Sequence, residues 1–215
     1  MDTVSGIGVL DKAVRILDVV AAGPVRPSEL PARTGISRAT AHRLAVGLEV
    51  HGLLRRNADG AFVAGLALIG LGRAASDSFP LTVAAAPALE ALRDRTGESS
   101  QLYVAEGDER LCVAAVDSAH ELRTIVGVGA RLPLEVGSAG RVLSGEVGRD
   151  GWVASVAERA SGVASVSAPV RRDGAVIAAV SVSGPIERVT RRPGSAFGGD
   201  VTAAAREIEA ALRSD

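Results

Sequence analysis

A short run of arginine and small polar residues near position 40 carries side chains that could read the edges of DNA bases. The run contains Ser37, Arg38, Thr40 and Arg43. An arginine can donate two hydrogen bonds to a guanine, and a threonine can contact a thymine methyl group or a phosphate. Ser37 stands where a helix N-cap is expected, since its hydroxyl can accept from free backbone N–H groups. The run also suits a solvated surface helix, because amphipathic helices have charged outer faces.

The elements that must position this run form a predicted pair of short helices. The second helix has an apolar face of residues spaced three and four apart, Ala41, Leu44, Ala45 and Leu48. The first helix is predicted at about 29–34, with Ser28 as its cap, Pro31 in its first turn and Gly35 at its end. The intervening turn, residues 34–37, has the length and the glycine of a helix-turn-helix, and a generic antiparallel helix pair is the alternative.

A β-hairpin is predicted directly after this helix pair. Residues 53–56 and 61–64 flank a turn-forming cluster, Asn-Ala-Asp-Gly at 57–60. The tip carries three polar residues suited to phosphate or minor-groove contact, Arg55, Arg56 and Asn57. A basic hairpin that follows a helix-turn-helix is a wing, and this order of elements favours DNA binding over a plain surface helix.

Helices are also predicted on both sides of this module. One spans residues 6–22 and has a single apolar stripe, Val9, Leu10, Ala13, Ile16, Leu17 and Val20. A linking helix is predicted at about 66–76. Phe79 and Pro80 mark a break before a further helix at about 81–95.

The second half of the chain changes to the two-residue alternation of strands. Five segments show it: 101–106, 110–116, 122–126, 162–170 and 175–183. Turn sequences join the first two segments and the last two, so each of these pairs is predicted to form a hairpin. A final helix is predicted at about 198–213. Strand hairpins with helices at both ends indicate an α+β domain built on one antiparallel sheet.

The charge balance excludes a strongly basic nucleic-acid binder as a description of the whole chain, because the net charge of its 215 residues is −1. Residues 1–66 hold eight Lys and Arg against six Asp and Glu, a net charge of +2. Residues 67–215 hold 16 against 19, a net charge of −3. The sign of this asymmetry fits an N-terminal DNA module.

The single cysteine, Cys112, excludes an intrachain disulfide and a cysteine-rich metal site. It lies in an apolar alternating strand, which favours a core position over a redox sensor. No apolar run reaches the roughly 18 residues that a membrane span needs, and no export signal is visible. We therefore expect a soluble, cytoplasmic protein without a membrane partner.

Catalytic chemistry finds little support in the residue pattern. The three histidines, His42, His51 and His120, lack the spacing of metal ligands. Asp117, Ser118 and His120 are triad residue types, but a triad is recognised by geometry and not by adjacency in sequence. We expect no enzyme activity, no metal site and no cofactor.

Residues 6–72 resemble the winged helix-turn-helix of the IclR family of bacterial transcriptional regulators. The resemblance rests on VLDKAVRILDVV at 9–20, on SELPARTGISRATAHRLAVGLEVHGLL at 28–54 and on the hairpin. The second half resembles the family's effector-binding domain in four segments, LPL at 132–134, GSAGR at 137–141, GVASVSAPV at 162–170 and VSVSGP at 180–185. The segments at 92–108 and 181–194 are similar to the actinobacterial branch called NdgR-like, which is tied to amino-acid biosynthesis.

The resemblance implies a winged helix-turn-helix at 1–65, a linker helix at 66–80 and a GAF-like effector and oligomerisation domain at 81–215. It implies a homodimer or a dimer of dimers that binds double-stranded operator DNA and senses a small molecule, often a carboxylate. Family recognition-helix positions fall on Ser37, Arg38, Thr40 and Arg43. Family pocket positions fall on Ser138, Ala139, Ser155, Ser165, Ser181 and Ser183.

The pattern of alternating serines in the predicted strands is also consistent with a polar pocket. Alternate residues of a strand face one side, so Ser181 and Ser183 project together, as do Ser165 and Ser167. Serine hydroxyls and glycine N–H groups can bind a carboxylate without a cation. The alternative is that these small residues only pack a tight core.

Two features depart from the family pattern. Glu135 stands where a polar residue or a histidine is common, and its charge would repel an anionic effector. Residues 141–152 bridge a region that is longer in the family. An alternative function is therefore a constitutive DNA-binding dimer whose shortened effector domain holds no ligand.

Overall fold

The computed structural model describes residues 5–213 of a chain that divides into two compact units, 1–75 and 76–215. The predicted domain bounds, 1–65, 66–80 and 81–215, stay predictions, and their residues 1–4 and 214–215 lie outside the described part. No helix within residues 5–213 is both long enough and apolar enough to cross a membrane.

The first unit contains the predicted pair of short helices, preceded by a longer helix. Its helices are α1 (Gly8–Ala21), α2 (Leu30–Thr34) and α3 (Arg38–Val50). Gly35 ends α2 in the left-handed conformation, with φ of 67°, which glycine adopts without steric cost. Ser28 is not the cap of α2, since Glu29 occupies that position without a side-chain capping bond.

The apolar stripe predicted along α1 is only half correct. Ile16 and Val20 are buried, but Val9 and Leu10 are 62% and 50% exposed. The reason is that the core of this unit receives α1 only from Ala13 onward. The first turns of the helix therefore present apolar side chains to solvent.

The predicted hairpin is present as β1 (Leu54–Arg56) and β2 (Phe62–Ala64), paired antiparallel with Arg56 opposite Phe62. Leu54 and Phe62 are buried in the core of the unit, so the hairpin packs against the helices through these two side chains. Helix α4 (Ala67–Ser78) follows and has no buried residue.

The second unit contains a six-stranded antiparallel sheet and, within its described residues, four helices. Its elements are α5 (Pro80–Thr96), β3 (Ser99–Glu106), β4 (Glu109–Val116), β5 (Arg131–Pro133), α6 (Ser138–Leu143), β6 (Val153–Val156), β7 (Val163–Arg172), β8 (Ala175–Pro185), α7 (Ile186–Val189) and α8 (Pro193–Leu212). The strand order is β5-β4-β3-β8-β7-β6. The predicted α+β class, with an N-terminal helix-turn-helix and a C-terminal antiparallel sheet, is confirmed.

Strand alternation gives the sheet two different faces. One face packs on α5 and α8 through a large aliphatic cluster that includes Leu102, Val166 and Val180. The other face carries Tyr103 and Cys112 and packs against α6. The predicted serine positions lie on or beside this second face.

Two predictions in this unit were wrong. Residues 122–126 are not a strand, although Thr124 and Val126 are buried and Leu122 is exposed, because β5 takes the place beside β4 instead. Helix α8 begins at Pro193 and not near 198. Glycines near its start let the Trp152 ring pack closely against the helix backbone. A Cβ at Gly194 would lie within 2.7 Å of that ring.

Candidate functional site

The four residues predicted to read DNA lie at the N-cap and in the first two turns of α3. We call them the reading surface: Ser37, Arg38, Thr40 and Arg43. Thr40 is half-buried and the other three are exposed. Ser37 occupies the N-cap position, but its hydroxyl donates to Thr40 Oγ1 at 3.0 Å and makes no capping bond to the backbone. The two hydroxyls are therefore placed next to each other at the start of the helix.

The arginines of the reading surface differ from others in the same unit. Arg15 donates to the Thr34 carbonyl at 3.3 Å and Arg33 to the Val19 carbonyl at 3.4 Å, so both tie helices together. No side-chain hydrogen bond or ion pair within residues 5–213 engages Arg38 or Arg43. Their five N–H donors each remain available to an external acceptor.

His42 lies beside Arg38 in a shallow groove that also includes Pro27 and Ser28. It belongs to no predicted contact set, although its place one turn after Arg38 on the same helix was a usable signal. Pro27 and Ser28, which precede α2, therefore lie next to Arg38 of the reading surface.

The wing residues fall into two kinds. Arg56 pairs with Glu49 at 3.2 Å and lies over the Phe62 ring at 4.3 Å, so it holds the hairpin to α3. The Asn57 side-chain oxygen accepts the N–H groups of two turn residues at 3.1 and 2.9 Å, which shapes the turn. Arg55 is exposed, and its side chain has no such partner among the described residues.

All six predicted pocket residues line one cavity between the sheet and α6, which we call the serine cavity. They are Ser138, Ala139, Ser155, Ser165, Ser181 and Ser183. Five further residues complete its lining, namely Tyr103, Arg110, Gly137, Arg159 and Val163. The cavity has a volume of about 20 Å³, which is room for about one water molecule.

A chain of hydroxyl groups joins the walls of the serine cavity. Ser138 Oγ on α6 lies 2.7 Å from both Ser165 Oγ and Ser167 Oγ on β7. Ser167 donates in turn to Ser181 on β8 at 2.9 Å. Hydroxyls can rotate and either donate or accept. The same groups that now satisfy one another can therefore turn toward a polar ligand.

Arg110 is the buried one of the two arginines that line the serine cavity, and it is only 3% exposed. Its guanidinium donates to the Val136 carbonyl at 2.7 Å and to the Pro133 carbonyl, while its Nε has no partner. The guanidinium lies 5.6 Å from the Tyr103 ring centre. Burial lowers the pKa of Arg110 from its ordinary value, because no carboxylate compensates the lost hydration.

Two glycines of the segment 137–141 make room for this guanidinium. A Cβ at Gly140 would lie 2.7 Å from Arg110 Nη1, and one at Gly137 would lie 3.3 Å from Nη2. Sequence reasoning missed Arg110. The available signal was its position two residues before Cys112 in an alternating strand, which puts both side chains on the same face.

The Glu158 carboxylate binds a residue of the cavity lining but does not pair with Arg110. Glu158 accepts the Gly137 N–H at 3.0 Å and the Arg141 guanidinium at 3.0 Å. Arg141 also binds Glu146, and these hydrogen bonds raise the pKa of Arg141. Glu135, expected to repel an anion, is exposed and does not line the serine cavity. No acidic residue of the described chain lines it.

The residue types that suggested catalysis have structural roles. The Ser118 hydroxyl donates to the Gly97 carbonyl at 2.6 Å and accepts the His120 N–H at 3.2 Å, so it fixes a turn. Burial raises the pKa of the Cys112 thiol to about 12. Residues 5–213 contain no group of three His, Cys, Asp or Glu side chains that could hold a metal.

Sequence comparison matches both units to described protein families. Residues 9–58 match the IclR helix-turn-helix domain. Residues 73–150 and 145–210 match the bacterial transcriptional regulator IclR C-terminal domain in two pieces. The two pieces meet inside the segment 141–152, where the chain was predicted to be shortened.

Individual relatives agree with this match. The chain is 28% identical to the glycerol operon regulatory protein of Streptomyces griseus, over 96% of this chain and 95% of that protein. The alignment extends over 243 positions, more than the 215 residues of this chain, so the relative holds residues that are absent here. The regulator KipR of Bacillus subtilis is 32% identical over 53% of this chain, which spans 46% of KipR.

A solved structure supports the fold. The structure of an IclR homologue from Microbacterium hydrocarbonoxydans, complexed with 4-hydroxybenzoate, superposes with a TM-score of 0.78 and 24% identity. The superposition covers 96% of this chain and all of the other.

Proposed function

The chain belongs to the IclR family of bacterial transcriptional regulators, and we propose that a small anionic metabolite in the serine cavity controls its binding to operator DNA. The observation that carries the proposal is the cavity itself. Six predicted side chains from α6, β6, β7 and β8 converge there with a buried arginine. Members of this family are DNA-binding regulators and not enzymes.

We propose that α3 enters the DNA major groove. Arg38 and Arg43 then contact guanine or phosphate, and Thr40 contacts a thymine methyl group or a phosphate. Ser37 lies at the helix start, where it suits a phosphate contact. Of the three predicted wing contacts, Arg55 has the freest side chain, whereas Arg56 and Asn57 reach DNA from the positions that their internal bonds fix.

We propose a homodimer, or a dimer of dimers, in which two copies of α3 occupy successive major grooves about 34 Å apart. Exposed apolar side chains on α1 and α4 support this proposal, since large unpaired apolar patches mark interaction sites. They are Ile7, Val9, Leu10 and Val14 near α1, and Leu66, Ile69 and Leu71 near α4.

The proposed effector is a small carboxylate, and the similarity to the NdgR-like branch makes an amino acid or its keto-acid relative the first choice. The homologue that carries 4-hydroxybenzoate supports a carboxylate, because that ligand is itself a benzoate. A ligand larger than one water needs the cavity walls to move apart. Binding would therefore favour a different arrangement of α6 against the sheet, which is how an effector shifts a population.

A second candidate function is a constitutive DNA-binding dimer without an effector. Two observations favour it, namely the small cavity volume of about 20 Å³ and the short segment at 141–152. In that case the serine hydroxyls only satisfy one another inside a packed core.

Calorimetric titration of the full chain with amino acids and their keto-acid relatives tests the proposal. We expect heat of binding from at least one compound, and we expect that compound to change the mobility shift of DNA taken from upstream of the protein's own gene. Absence of heat from all of them, with the operator still bound, would favour the constitutive dimer. Failure to bind any upstream DNA would contradict both candidate functions.

A further inference from the structure

We infer that Arg110 and Arg159 select an effector with two negative charges, with Arg110 as the inner and Arg159 as the outer counter-charge of the serine cavity. This inference rests on the proposed function, because it specifies the ligand of the same cavity. It assigns binding roles to two residues that the serine pattern does not include.

The inner charge site is Arg110. Its side chain lies almost wholly inside the protein, and no carboxylate of the described chain pairs with it. Two backbone carbonyls orient the guanidinium, but its buried Nε has no acceptor. A buried charge is costly unless it is paired. An incoming anion would supply the missing counter-charge and the missing acceptor together.

The outer charge site is Arg159. It is half-buried and lines both the serine cavity and a wider neighbouring groove with Leu122, Ile125 and Pro185. No hydrogen bond or ion pair within residues 5–213 engages its side chain. One acidic residue, Glu187, lines the outer groove but not the cavity.

The charge balance of the lining decides between one and two negative charges. The cavity is lined by two arginines, by neutral hydroxyls and by no carboxylate. The two arginines act on each other as like charges, since Arg159 contributes to lowering the pKa of Arg110. A monoanion neutralises only one of them, whereas a dianion removes the repulsion and pairs both.

The chemistry that both arginines would recognise is shared by two kinds of metabolite. A small dicarboxylate can place one carboxylate on each arginine, and a phosphate monoester can present two charges on one group. Arginine binds both groups through paired N–H donors. The serine hydroxyls would bind a hydroxyl or carbonyl oxygen between the charges.

The test uses the full chain and three probes at constant ionic strength: lactate, malate and methyl phosphate. Lactate and malate share a 2-hydroxy acid and differ in the second carboxylate. We expect malate or methyl phosphate to raise the melting temperature and to bind at least tenfold more tightly than lactate by calorimetry. A preference for malate identifies a dicarboxylate site, and a preference for methyl phosphate identifies a phosphate site.

Variants separate the two roles. Arg159→Gln should bind lactate as before and lose the tenfold preference for the dianion. Arg110→Gln should lose at least tenfold in affinity for every probe, while its glutamine amide can still donate to a backbone carbonyl. Arg172→Gln is the matched control, because that exposed arginine is the last residue of β7 and does not line the cavity.

The inference is overturned if neither dianion binds the wild-type chain at millimolar concentration, or if Arg159→Gln keeps the full dianion preference. Melting curves of each variant without ligand show whether it is folded. The proposed function survives that result if a neutral or monoanionic metabolite still alters operator binding. It fails separately if no metabolite does so while operator binding is intact.

Discussion

Arginines without a counter-charge occur in both units of the molecule, but the two units treat them differently. In the first unit, Arg38, Arg43 and Arg55 are exposed, and water solvates them at little cost. In the second unit, Arg110 is buried, where an unpaired cation costs several kcal/mol of solvation. A helix alone can position an exposed arginine. The buried arginine also needs an environment of surrounding residues that leave space for its guanidinium and accept its hydrogen bonds.

That environment explains features that otherwise look unrelated. Gly137 and Gly140 leave space for the guanidinium, and the carbonyls of Pro133 and Val136 accept from it. No such packing surrounds Arg38 and Arg43 on the reading surface, where both are exposed. Their positions follow from their places along α3. A surface of this kind tolerates replacement of its arginines without loss of folding, whereas the cavity does not tolerate changes in its glycines.

The largest expected effect separates binding from folding in the first unit. Arg43→Ala should leave the free energy of unfolding nearly unchanged, because no internal partner is lost. Each good arginine–guanine contact contributes about 1–3 kcal/mol, and a dimer loses two of them. We expect operator affinity to fall roughly 30-fold or more, measured by mobility shift.

The control for this variant is Arg206→Ala, an exposed arginine on α8 in the other unit. It should bind operator as the wild type does. Unchanged operator affinity in Arg43→Ala would remove α3 as the reading helix.

The next effect tests the built environment of the second unit. Gly140→Ala places a methyl group 2.7 Å from Arg110 Nη1, and against the Leu134 carbonyl group. Overpacking of this kind costs about 1–3 kcal/mol, which urea unfolding monitored by circular dichroism would detect. Gly199→Ala is the matched control, because its Cβ meets nothing within 4 Å on helix α8 and should be neutral or stabilising by about 0.5–1 kcal/mol. Equal stability of the two variants would show that the space around the Arg110 guanidinium is not tightly packed.

The difference between the units also explains what the sequence could predict. Gly35 and the helix spacing around Ala41 identify the helix-turn-helix, because both signals are local. The serine positions were predicted through family resemblance and strand alternation, and they do share one cavity. Arg110 was missed because its role depends on Gly140 and Pro133, which are distant in sequence. Residues 122–126 alternate like a strand, and only the pairing of β5 with β4 shows that they are not one.

A smaller effect distinguishes two neighbouring wing residues. Arg56→Ala loses a partly exposed ion pair with Glu49 and a cation–π contact with Phe62, so we expect about 1 kcal/mol of destabilisation. Arg55→Ala loses no internal contact and should change stability by less than about 0.5 kcal/mol. It should instead reduce the salt dependence of operator binding by about one phosphate contact per protomer. If Arg55→Ala lowered stability and Arg56→Ala changed only the salt dependence of operator binding, the roles assigned to the two arginines would be wrong.

The smallest effect at neutral pH tests whether water is excluded from Cys112, which is buried on the sheet face that packs against α6. Burial raises the pKa of Cys112 from 9.0 to about 12, so well below pH 9 the thiol is almost wholly neutral in both the folded and the unfolded state and contributes little to the pH dependence of stability. Above pH 9 only the unfolded chain ionises, and this part of the stability is lost as the pH rises toward 12. Cys112→Ala should therefore show a shallower loss of unfolding free energy between pH 9 and 10.5 than the wild type, by up to about 1.4 kcal/mol per pH unit.

Alkylation gives an independent measurement of the same property. At pH 8 iodoacetamide should modify native Cys112 far more slowly than the urea-unfolded chain, because the reactive thiolate is on the order of 1,000-fold rarer. Equal rates, together with identical pH profiles for Cys112→Ala and wild type, would mean that water reaches this face of the sheet. Arg110 would then be solvated in the same way as Arg38 and Arg43, and the contrast between the two units would disappear.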